Sequence, residues 1–227
     1  MPDLVGAAWP ELPERPLLVV PLGSVEQHGP ALPFATDTVV AGAVARAADL
    51  DGVLAPALPY GASGEHEGFP GTVSIGTEAL TTLLVEYGRS ACRWAGRLLV
   101  VNGHGGNLDA LRRAVPLLRA EGRDAAWFPC GVPGGDAHAG RTETSLLLHV
   151  EPASVRSGAL VAGVTTPIGE LLPRLRAEGV RGVSPTGVLG DPAGASAEEG
   201  SRLLAGLAVR LAAAVARWDV GDDGRLH

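Results

Sequence analysis

Four short runs of almost unbroken hydrophobicity constrain this chain most: LLVVPL (17–22), VLAPALP (53–59), LLVVNG (98–103) and AAWFP (125–129). A strand with one wetted face alternates apolar and polar residues, whereas runs like these suit strands buried on both faces, as in a parallel sheet. Amphipathic stretches lie between and after them. Helical spacing is kept by Leu80, Leu84, Tyr87, Ala91 and Trp94 in 77–95, and by Leu108, Leu111, Val115 and Leu118 in 107–121, where Pro116 is a candidate kink. It is kept again by Leu204, Leu207, Leu211, Val215 and Trp218 in 197–218. Thr166-Pro167 reads as an N-cap followed by proline at the first helical position, opening a helix to about residue 178. This alternation predicts an α/β fold: residues 1–227 as one three-layer α/β/α domain around a mostly parallel central sheet.

Composition narrows the function classes. A net charge of −7, with no basic stripe, argues against a nucleic-acid partner. The N-terminus lacks a basic segment followed by an apolar one, and the most apolar helix is interrupted by Arg210 and Arg217, so the expectation is a cytoplasmic protein with no membrane partner. Cys92 and Cys130 form no CxxC pair and read as buried free thiols. The Gly-rich loops 60–76, 130–140 and 184–196 are longer than plain connectors need to be, and such loops usually shape a site.

Ligands of α/β sheets gather at the carboxyl ends of the strands. Glu26 and His28 stand just past the first strand, two residues apart, where an extended chain points both the same way. Asp37 precedes the apolar helical run VVAGAVARAA, where a carboxylate also serves as a helix cap. In VVNGHGGNLDAL (100–111), His104 sits at the apex of a glycine turn between a strand and a helix. That turn fails as a phosphate cradle, because Leu108 replaces the third glycine of GxGxxG and no P-loop Lys follows. Asn102 and Asn107 are placed to orient it. In GGDAHAGRTETSLLLH (134–149), His138 lies in a flexible loop and Glu143 opens a helix, an ordinary place for a glutamate. Glu65 and His66 either line the substrate pocket or brace the ligands from behind, or else belong to a solvated polar loop. His149 and His227 lack such a setting and read as surface or tail residues. Two histidines and three carboxylates exceed what one closed tetrahedral zinc needs, and suit two cations sharing a carboxylate.

GSVEQHGPALPFATDT, the FPGT of GEHEGFPGTVS, NGHGGN, HAGRTETS and GVLGDPAGASAEEG, in this order, resemble the creatininase (creatinine amidohydrolase) family. The resemblance implies a dinuclear-metal amide hydrolase holding two divalent ions (Zn, Fe(II) or Mn) in a symmetric homo-oligomer such as a hexamer. It implies that Asp37 bridges the metals, that Glu26 and His28 bind one each, and that His104 joins Glu26. Creatininase proper carries a metal-binding glutamate where this chain has Gly106, and the replacement carboxylate is assigned to Glu143. His138 matches the family's catalytic histidine, and Glu143 counts with it as catalytic. No tryptophan near His138 resembles the aromatic lid over creatinine. YGASGEHEGFPGTVSIGTEAL and GGDAHAGRTETSLLLH are closer to a subgroup of short peptidases of mycofactocin biosynthesis, which release a C-terminal Val-Tyr dipeptide from a ribosomally made precursor peptide. Two alternatives remain: hydrolysis of a small cyclic amide or formamide, and a non-catalytic α/β binding module.

Overall fold

A computed structural model describes all 227 residues. The apolar runs form strands β1 (Leu17–Leu22), β2 (Val53–Leu54), β3 (Arg97–Asn102) and β4 (Ala125–Pro129) in one fully parallel sheet of order β2-β1-β3-β4. Side chains alternate across it as the pleat requires. Leu18, Val20, Leu22, Leu98, Val100 and Trp127 face helices α2 (Gly76–Ala91) and α3 (Leu108–Ala120). Val19, Leu99, Val101 and Phe128 face α1 (Thr36–Ala47), α4 (Arg141–Val150) and α6 (Ala197–Arg217). Burial on both faces explains why the strands are not amphipathic, and the three-layer expectation holds. No helix is long and apolar enough to cross a membrane.

Several boundaries differ from the sequence expectation. The run 53–59 pairs regularly only at Val53–Leu54. Pro56 and Pro59 have no N–H to donate, so the edge continues as separate contacts: Ala55 N to Val19 O (2.8 Å), Leu58 N to Pro21 O (2.9 Å) and Gly23 N to Leu58 O (3.0 Å). Helix α2 stops at Ala91, which leaves Trp94 outside it and 36% exposed. Helix α3 runs through Pro116 without ending. Helix α5 (Ile168–Val183) begins one residue later than expected: Pro167 is the extended N-cap, and no side-chain cap bond forms. At Gly179, φ of 67° breaks it into a helix and one further turn. Cys130 is buried as expected, whereas Cys92 is only half-buried; both are free.

The chain passes from β1 outward to β2 and then back across to β3. The crevice at the carboxyl ends of β1 and β3 is therefore the point where the winding reverses, the usual ligand position of an open α/β sheet. Leu99 sits at the centre of this platform, 0% exposed between Val19 and Ala126. Leu99→Ala is expected to lower unfolding free energy by about 2–5 kcal/mol in a denaturant titration.

Candidate metal centre

Each strand end delivers one part of the cluster. After β1, an antiparallel bridge between Val25 and Val73 and a hydrogen bond from Glu26 N to Phe34 O (3.3 Å) hold Ser24, Glu26 and His28 in place. Asp37 lies in the first turn of α1, but the N-cap is Ala35 and no side chain caps the helix. Its carboxylate turns instead toward the crevice, so the cap reading gives way. After β3, Asn102 Nδ2 donates to His104 O (2.7 Å), while Asn107 Nδ2 donates to Gly23 O (3.0 Å) and Asn102 Oδ1 (3.0 Å). The two asparagines clamp the glycine turn as its sequence suggested.

His138 does not sit in a flexible loop. It is buried and bridged antiparallel to Leu189, with His138 N to Leu189 O at 3.1 Å and Leu189 N to His138 O at 2.9 Å. The next residue, Ala139, has φ of 53°, a left-handed conformation that costs a non-glycine residue energy. Its N–H donates to Glu143 Oε2 (2.6 Å) and thereby aims the glutamate inward from α4.

All five expected ligands converge, with His138 beside them. Glu26, Asp37 and His104 form one group, His28, Asp37 and Glu143 a second, and Glu26, His28 and His138 a third; within each, one donor atom per residue lies within 4.8 Å of the others. Asp37 is common to the first two, which between them hold all five expected ligands. Its Oδ1 is 3.2 Å from His28 Nε2 and its Oδ2 is 3.5 Å from His104 Nδ1. Glu26 Oε2 is 3.1 Å from His104 Nδ1, and Glu143 Oε2 is 3.9 Å from His28 Nε2.

The donor set fits cations on three counts. Glu26 Oε1 is buried with no hydrogen-bond partner, an expensive state for a carboxylate oxygen. Ser24 Oγ lies 2.8 Å from Glu26 Oε2 and 2.5 Å from Asp37 Oδ2, yet its single proton serves only one of them at a time. Finally, the outer nitrogens of His28 and His104 are tethered to main-chain carbonyls: Nδ1 of His28 to Glu26 O (3.1 Å) and Nε2 of His104 to Ala62 O (3.2 Å). An N–H donated outward leaves the other lone pair facing the carboxylates, the usual posture of a metal-binding histidine.

The electrostatics follow from crowding. Burial disfavours charge on Glu26, but His104, His66 and His28 outweigh it and hold the carboxyl well below its ordinary range. Burial likewise opposes charging of His28, yet Asp37, with Glu143 and Glu26, lifts it to about 10, so the ring nitrogen facing the carboxylates holds a proton that a bound cation would replace. Glu143 keeps 21% of its side-chain exposure, and desolvation at the site pushes its carboxyl up to about 7. His138 is held well below its ordinary value by burial and then by His28 and His66, which keeps it neutral.

Glu65 and His66 settle between their two readings. His66 is buried, with Nε2 3.3 Å from Glu26 Oε1, so it is not part of a solvated loop. Glu65, 33% exposed, places Oε1 3.4 Å from His104 Nε2. A Cβ at Gly106 would lie 2.3 Å from Ala62 O, 2.4 Å from His104 Nε2 and 2.7 Å from Glu65 Oε1, which leaves no room for a glutamate there. Ser24 and Gln27 escaped the sequence reading, although Ser24 continues the every-second-residue spacing of Glu26 and His28. A cavity of about 670 Å³ lies beside the loop, lined by Asp136, Arg141 and Leu189 among others, but by none of the five ligands.

Comparisons with known proteins converge on one family. The family profile of creatininase, creatinine amidohydrolase, matches residues 6–215. The chain is 57% identical over 219 residues, 93% of its length and 89% of the relative's, to the mycofactocin precursor peptide peptidase of Mycolicibacterium smegmatis. Among solved structures, a mutant creatininase of Zn-Zn type superposes with a TM-score of 0.77 at 23% identity, covering 95% of this chain and 97% of that one. A structure titled creatininase Mn does so with a TM-score of 0.76 at 23% identity, covering 95% and 98%.

A ligand that binds only the folded state raises stability, by about 2.7 kcal/mol at a hundred times its dissociation constant. Added Zn²⁺ or Mn²⁺ is therefore expected to raise the melting temperature of metal-stripped protein. In Asp37→Ala, which loses the residue common to both groups, most of that rise should vanish; an equal rise in the variant would contradict the shared position.

Proposed function

Because the chain belongs to the creatininase family, we propose that it is a dinuclear-metal peptidase that releases the C-terminal Val-Tyr dipeptide from the mycofactocin precursor peptide. It is a hydrolase acting on amide bonds. The observation that carries the two-ion reading is the sharing of Asp37 between two donor groups of like composition, each one Glu, one Asp and one His, the first built with His104 and the second with His28. The peptide reading is supported by the printed name of the 57%-identical relative and by the lack of a tryptophan near His138.

Glu26, Asp37 and His104 would hold one ion, and His28, Asp37 and Glu143 the other. Bound divalent cations (Zn, Fe(II) or Mn) polarise a scissile carbonyl and bring the pKa of water toward neutrality. The protein's own part is positioning and proton handling. His138 Nδ1 lies 3.6 Å from Glu26 Oε1 and faces the cluster, while its Nε2 is tied to Gln27 O at 2.8 Å. A neutral imidazole aimed this way takes a proton from the attacking water and returns it to the leaving amine. Burial of Glu26, His28, His66 and His138 keeps bulk water from competing for these hydrogen bonds.

Metal-loaded protein incubated with a peptide ending in Val-Tyr is expected to yield the free dipeptide by chromatography, and no creatine from creatinine. Creatine as the sole product would point to the small-amide reading, and no product from either substrate would end both. His138→Ala should keep its metal by elemental analysis while losing about a hundred- to ten-thousand-fold in rate.

A further inference from the structure

The glutamine of GSVEQHGP and the loop GVLGD (187–191) hold none of the donor atoms of the cluster. They meet. Gln27 Oε1 accepts from Gly29 N (2.8 Å), and Gln27 Nε2 donates to Gly187 O (3.1 Å). A main-chain donor on one side and a main-chain acceptor on the other leave the amide only one orientation. Gly187, at φ of 79°, forms the cradle: a Cβ there would stand 1.9 Å from Gln27 Oε1.

With one amide hydrogen given to Gly187 O, the second is directed at His66 Nδ1, 2.9 Å away. That nitrogen must accept, so a neutral His66 carries its proton on Nε2, 3.3 Å from Glu26 Oε1. His138 is fixed in the other sense. Its Nε2 lies 2.8 Å from Gln27 O, which only accepts, so Nε2 donates and the Nδ1 lone pair faces the same Glu26 Oε1 at 3.6 Å. The 3.1 Å contact between Gln27 Nε2 and His138 Nε2 joins two donors whose hydrogens are committed elsewhere. The rings are 4.5 Å apart between centroids.

We infer that Gln27 is a positioning residue that gives these adjacent imidazoles opposite polarity, His66 presenting an N–H donor and His138 a lone pair to the same site. Amide hydrolysis uses both: an acceptor for the proton of the attacking water, and a donor for the carbonyl oxygen as it gains charge. The catalytic meaning rests on the peptidase reading, whereas the tautomers can be observed without any substrate.

Zinc-loaded protein labelled with ¹⁵N-histidine provides the test, since two-bond ¹H–¹⁵N correlations identify which ring nitrogen is protonated. His66→Asn and His138→Asn assign the signals. In the wild type both residues are expected as Nε2–H tautomers. In Gln27→Glu the carboxylate only accepts, so His66 should switch to Nδ1–H while His138 stays Nε2–H. Metal content should be unchanged, and kcat for dipeptide release should fall about 10–100-fold with KM little altered. Gly187→Ala, which displaces an intact Gln27, should disturb the His66 tautomer in the same way. Wild-type His66 or His138 carrying its proton on Nδ1 overturns the inference whether or not Gln27→Glu folds; so does an unchanged His66 tautomer in Gln27→Glu. Expected tautomers in a protein that releases no dipeptide would leave the assignment of Gln27 standing and remove the peptidase reading instead.

Discussion

Three carboxylates, Glu26, Asp37 and Glu143, converge at the carboxyl ends of β1 and β3, and the rest of the molecule is arranged around that concentration of negative charge. Gathering such charge away from water is unfavourable unless something positive stands among the oxygens. The surrounding imidazoles supply part of the compensation, and Ser24 lends one proton where two oxygens ask for it. The imbalance that is left suits the group to cations, as the proposed two-ion reading requires.

The sheet's winding is what makes this assembly affordable in chain length. Each ligand group is the first polar segment after a buried strand, or the first turn of the helix that follows. Glu26 and His28 come after β1, Asp37 with α1, His104 after β3 and Glu143 with α4. Residues more than a hundred positions apart are held to a few ångströms of one another by a platform of parallel hydrogen bonds and two apolar layers. Leu22 and Asn102, the paired last residues of β1 and β3, mark where that rigid platform ends and the polar segments begin.

Much of this was legible in the sequence because strong local signals coincide with it. Unbroken apolar strands gave the sheet, and histidines beside glycines marked the strand ends. What was not legible depended on distant partners. The stretch 53–59 looked like a full strand until its prolines met an edge where N–H groups were needed. His138 looked mobile because Gly134, Gly135 and Gly140 stand close by, yet Leu189, fifty-one residues on, pins it by two main-chain bonds. Gln27 has no sufficient local signature, since Gly29 N holds one side of its amide but the other side is fixed by Gly187, far along the chain. That Glu65 and His66 stand against the donor cluster follows from the approach of His66 to Glu26 and of Glu65 to His104, which no spacing rule encodes.

The tethers on His28, His104 and His138 share one property: each ends on a main-chain oxygen, of Glu26, Ala62 and Gln27 respectively. A peptide carbonyl survives every amino-acid replacement. The aim of the three rings is thus shielded from mutational drift, and descendants of this scaffold are free to diversify the walls around the centre while its chemistry stays put.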